Sequence, residues 1–136
     1  MRRLAIVLAF TVLLTAGGSA AAHPTTSFDA CVQSAISNVY PCADSAEAGP
    51  GSNMMLKAAV TPRHAHSRAT VWALRPHADE WQKAGFARVG LGGRMRYYWT
   101  ADEKDVYNNT SWRFRFVLPG HGHSDTVKVR VRSADF

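Results

Sequence analysis

The chain is short of the residue patterns that announce chemistry. Its 136 residues contain no G-x-S-x-G elbow and no C-x-x-C pair, so nucleophile-elbow hydrolysis and dithiol redox catalysis lack their residues. Carboxylates cluster only at Asp102-Glu103-Lys104-Asp105, which reads as a solvated loop rather than an acid/base pair. No segment of useful length has helical periodicity, no internal repeat is present, and no apolar run after residue 14 approaches the ~20 residues that cross a bilayer. Acids are also scarce, with 10 Asp and Glu against 16 Lys and Arg. These absences leave a basic, non-enzymatic protein with no cofactor and no transmembrane anchor as the expectation.

The N-terminus has the make-up of a secretory signal. Met1-Arg2-Arg3 supplies a positive start, residues 4–14 an apolar stretch, and residues 17–22 a small-residue run ending in Ala20-Ala21-Ala22. Cleavage after Ala22 would expose His23 and remove two arginines and no acid, so the formal charge of +6 becomes +4. The expected product is a soluble extracellular domain, in which Cys31 and Cys42 pair as a disulfide. Residues 23–53 read as an N-terminal extension: Phe28, Val32 and Ile36 suggest a helical turn or two, and residues 45–52 have linker composition.

The rest alternates. Trp112, Phe114, Phe116 and Leu118 interleave with Arg113 and Arg115, and Val127, Val129 and Val131 with Lys128, Arg130 and Arg132. Each set is a strand with one core face and one cationic face. Facing Phe116 with Val129 would set Arg115 opposite Arg130 and Arg113 opposite Arg132. Further strands are expected at residues 54–60, 69–75, 85–91 and 94–100, separated by Pro62, Pro76 and Gly92-Gly93. Six or seven short strands favour an all-β, antiparallel two-sheet sandwich spanning residues 54–136.

Thr70-Val71-Trp72-Ala73-Leu74, the spaced series Trp81, Lys83, Gly85, Ala87, Val89, and the strands around Trp112 and Val127 resemble the immunoglobulin-like or fibronectin-III-like modules of secreted bacterial proteins. That resemblance implies a sandwich fold. It carries no activity, because such modules serve as spacers, adhesion units or carbohydrate-binding appendages.

Two candidate sites stand out. Arg94, Arg96, Arg113, Arg115, Lys128, Arg130 and Arg132 would form a polyanion-binding face for a cell-wall polymer, an acidic polysaccharide or another extracellular protein. Outward cations also guard strands against edge-to-edge pairing, which is the structural alternative. Nucleic acid is disfavoured because no exposed aromatics are expected to interleave with these cations. Among aromatics, Tyr97, Trp99 and Trp112 alternate with core residues, while Trp72, Trp81 and Tyr98 are candidates for partial exposure.

Histidine supplies the second site. His64 and His66, and His121 and His123, have the H-x-H spacing that sets two imidazoles on one side of an extended segment. The loops before the second and last predicted strands are expected at opposite ends, keeping these pairs apart. His77 would then share an end with His121 and His123, forming a three-histidine site suited to Zn²⁺ or Cu²⁺. His23 could add its amine and ring, as in the copper oxygenases that cleave polysaccharides, but about 30 residues of extension precede the sandwich. A histidine-dependent metal protein, and a small secreted inhibitor or toxin built on the disulfide loop, are the alternatives to a polyanion binder.

Overall fold

The computed structural model describes residues 26–35, 42–107 and 109–133. The signal segment, His23 and the Ile36 portion of the expected helical turn lie outside them. The described residues form an all-β domain with no α-helix: β1 (Thr26–Ser34), β2 (Ser45–Ala48), β3 (Asn53–Ala59), β4 (Arg68–Leu74), β5 (Gln82–Arg88), β6 (Arg94–Thr100), β7 (Trp112–Leu118), β8 (Gly122–Ser124) and β9 (Val127–Val131). Single 3-10 turns occupy Pro62–His64 and Glu103–Asp105.

Hydrogen bonding joins all nine strands into one mixed sheet. One group runs β2-β9-β7-β4-β5, and the other runs β1-β3-β6. β1 links them, pairing with β3 along most of its length and with β8 near its start. The pairing is not purely antiparallel as expected, because β1–β8 and β2–β9 are parallel. Both exceptions involve strands that the sequence hid. Phe28 and Val32 are four residues apart, a spacing that fits a helical turn and one face of a strand equally well, and the intervening Ala30 is inward too. Residues 45–48, of linker composition, take their order from β9, whose backbone pairs with all four of them.

Alternation does hold where it was most regular. In β7 the residues Trp112, Phe114, Phe116 and Leu118 are buried, and Val127, Val129 and Val131 of β9 are fully so. The partner group contributes Phe28, Ala30 and Val32 from β1, Met54, Leu56 and Ala58 from β3, and Met95 from β6. Its Trp99 ring lies 5.3 Å from Trp112 and 5.0 Å from Phe114, so the two groups meet through aromatic edges and faces around one core. The Trp112 indole N–H donates to the Asp105 carbonyl at 3.0 Å, which satisfies its buried donor.

Three local devices shape this core. A Cβ at Gly85 would lie 2.7 Å from the Tyr97 ring, whose hydroxyl donates to the Ala84 carbonyl at 2.9 Å. Gly85 therefore lets β6 approach β5 closely. Ser124 is fully buried where β8 ends, and its hydroxyl accepts the Phe116 N–H at 2.9 Å and donates to the Asp125 carbonyl at 2.8 Å. The Cys31–Cys42 disulfide, with Cα atoms 5.3 Å apart, holds Ala43 against β1, where Val32 and Ala43 exchange backbone hydrogen bonds of 2.8 and 3.0 Å.

Candidate functional site

The outward positions of β9, β7, β4 and β5 build one continuous cationic surface. Register sets Arg113 beside Lys128 and Leu74, Arg115 beside Trp72, and Trp72 in turn beside Lys83. Arg68 lies opposite Arg88 at the far side. The five strands of this group carry seven cations, Arg68, Lys83, Arg88, Arg113, Arg115, Lys128 and Arg130, and one carboxylate, Glu47. Glu47 reaches Arg132 at 3.5 Å, an exposed ion pair of little energetic weight.

The pairing of β7 with β9 differs from the expected register. Trp112, not Phe116, faces Val129, so Arg113 opposes Lys128 rather than Arg132, and Arg115 has no partner on β9. The displacement is an even number of residues, which keeps every side chain on its expected side of the sheet. Its cause is β8, which takes the Val117 and Leu118 end of β7 and pushes β9 toward the other end.

Aromatic rings are interleaved with the cations, contrary to the sequence reading. The Arg115 guanidinium lies 4.3 Å from the centre of the Trp81 ring, while Arg68 and Lys83 lie 4.2 and 4.9 Å from that of Phe86. These contacts hold flexible cations in place over ring faces. Arg115 is half-buried, and its Nε has no hydrogen-bond partner among the described residues. The side chain is thus oriented by Trp81, and no carboxylate among the described residues forms an ion pair with it.

Arg94 and Arg96 do not belong to this surface. They lie on β6, alternating with Met95 and Tyr97, and face outward from the other strand group. Arg96 is opposite Lys57, which is opposite Cys31; Arg94 is opposite Ala59, which is opposite Asp29. The three cations border a groove of about 320 Å³ beside the Cys31–Cys42 disulfide, with Asp29 also on its lining. Alternation had given the correct side of the strand but not the group of strands to which it belongs.

The histidines are arranged differently from expectation as well. β4 and β9 both run antiparallel to β7, hence parallel to each other, so the loops leading into them share an end. His64 and His121 consequently meet, with ring centroids 3.9 Å apart. The Arg63 Nε–H donates to His64 Nε2 at 3.3 Å. Burial, His121 and Arg63 together hold the His64 imidazole below its usual pKa range. His77 is at the opposite end, beside Leu74 and Arg113, where its Nε2 lies 3.3 Å from the Thr110 hydroxyl. The length of β7, roughly 20 Å at ~3.3 Å per residue, separates it from His121, so His77 and His121 cannot share a metal. His123 has its Nδ1 2.8 Å from the Ser124 carbonyl. Among the described residues, no group of three or more His, Cys, Asp or Glu side chains could hold a metal ion.

Sequence reasoning missed Arg68, Lys83, Arg88 and Phe86 as members of the surface. The signal available was the alternation of Arg88, Phe86 and the buried Ala87 in β5, but only the β4–β5 pairing places them next to Arg115. No helix among the described residues is long and apolar enough to cross a membrane. The chain matches no protein-family model, no curated protein and no solved structure.

Proposed function

We propose that this chain is a secreted, non-enzymatic immunoglobulin-like module that binds an extracellular anionic polymer through the outer face of β9, β7, β4 and β5. The observation that carries the reading is the charge ratio of that group of strands, seven cations to one carboxylate, with two guanidiniums and an ammonium held over aromatic rings. Opposed cations such as Arg68 and Arg88 repel across a ladder, a cost a sequence shaped for stability alone would relieve with acids. Two strand groups closing on one core, with β1 shared between them, support the sandwich assignment. The disulfide belongs with a non-reducing compartment, and the signal-like N-terminus with export.

Charge density, rather than base stacking, is the recognition principle. Phe86 has cations over its ring and Trp81 has Arg115, so these faces already have partners and are poor platforms for nucleobases. A polymer with regularly spaced sulfate, phosphate or carboxylate groups fits the surface better. Binding to dextran sulfate should weaken steeply as salt rises, and Arg113→Ser with Arg130→Ser should reduce the slope of log affinity against log salt by about 1 to 2. An unchanged slope in a folded double variant would reject this face as the binding surface.

A further inference from the structure

We propose that the protein is a two-sided cross-linker: the groove beside the disulfide binds a second chain of the same kind of anionic polymer as the first face. The inference rests on the reading of the first face as a polyanion surface. It adds an independent site, carried by the placement of Arg94 and Arg96 on the other strand group.

The second site has its own composition. Lys57, Arg94 and Arg96 project from adjacent strands around the groove, with Asp29 the one carboxylate on its lining. Lys57 is steered by its Nζ–H to Gln33 Oε1 contact of 3.3 Å, and that acceptor is neutral. Arg94 and Arg96 are exposed, and neither is paired with a carboxylate through the strand register, where their neighbours are Ala59 and Lys57. An anion entering the groove meets three cations against the single carboxylate of Asp29. Tyr98, 54% exposed and two residues along from Arg96 on the same side, extends the site beyond the groove.

The two sites face away from each other. Arg94 and Arg96 alternate with core residues Met95 and Tyr97, whereas Arg113 and Arg115 alternate with core residues Trp112, Phe114 and Phe116. Packed sheets stand about 10 Å apart, and guanidiniums extending outward on each side add to that separation. The charge sets therefore lie beyond a Debye length of about 8 to 10 Å at moderate salt, so occupying one does little to discourage occupation of the other. One copy can hold two strands of polymer at once.

A sequential capture experiment tests this directly. Mature protein is captured on immobilised dextran sulfate, excess is washed away, and fluorescent soluble dextran sulfate is then applied. Wild type should retain the labelled chain. Arg94→Ser with Arg96→Ser should still be captured within about threefold of wild type, yet retain about tenfold less labelled polymer. Arg63→Ser with Lys104→Ser removes the same charge away from both surfaces and should behave as wild type. Circular dichroism verifies that each variant is folded.

Captured wild type that retains no labelled chain overturns the proposal, whether because one immobilised polymer wraps both sides or because the groove is inert. Retention unaffected by Arg94→Ser with Arg96→Ser overturns it equally, as does loss of retention in the charge-matched control. Absence of the first capture instead refutes the polyanion reading on which the inference rests.

Discussion

His64 and His121, remote in sequence, pack with ring centroids 3.9 Å apart because β4 and β7 are antiparallel neighbours and the turns carrying these residues share an end. The contact puts two titratable rings and the Arg63 guanidinium above a small cleft lined by Phe28, Val60, Thr61 and Leu118.

Stability is expected to depend on pH through His64, whose imidazole is held low first by burial and then by His121 and Arg63. Because the folded chain holds His64 below the ordinary value of about 6.5, the unfolded chain binds more protons between the folded and unfolded pKa values. Stability should therefore be unaffected by His64 well above pH 6.5 and fall as pH is lowered through that window. Calorimetry at constant ionic strength should show the decline, and His121→Asn should make it shallower. A His64 ring that titrates at or above 6.5 by NMR would contradict the assignment.

Gly85→Ala should destabilise the domain by about 1 to 3 kcal/mol, the usual cost of overpacking, because the added methyl would press on Tyr97. Tyr97→Ala clears that space. Urea unfolding of both single variants and the double variant should give a non-additive cycle, with Gly85→Ala costing less when Tyr97 is absent.

Ser124→Ala leaves the buried Phe116 N–H without its acceptor and should cost about 1 to 3 kcal/mol. Hydrogen exchange localises the effect: the Phe116 amide should lose protection beyond what the global destabilisation explains.

Replacing Cys31 and Cys42 together by serine should cost about 3 kcal/mol by loop-closure arguments. The Val32–Ala43 pairing should weaken while far-ultraviolet circular dichroism stays β-like, since the contacts among Trp99, Trp112 and Phe114 do not involve the disulfide. Loss of all β-signal in the oxidised-state buffer would show that the crosslink is required for folding itself.

The strands with strict alternation were legible from sequence because their burial repeats every second residue, as Phe114, Phe116, Val127 and Val129 illustrate. β1 was obscured by a spacing shared between helix and strand, and β8 by its length of three residues, too short to show any period. The candidate surface was half legible. Arg113, Arg115, Lys128 and Arg130 follow from alternation alone, but Arg68, Lys83 and Arg88 join them only through strand adjacency. Arg94 was misplaced for the same reason, since alternation tells which side a residue takes and not which strands its own strand pairs with. The histidine geometry turned on whether two strands flanking a common neighbour run the same way, a relation set by pairing partners rather than by composition.

The earliest described strands take their partners from the latest: β1 lies along β8 and β2 along β9. Both pairings join residues about eighty or more positions apart, and closure over such sequence separations is intrinsically slow, so the first and last described strands are expected to be among the latest parts of the sheet to form.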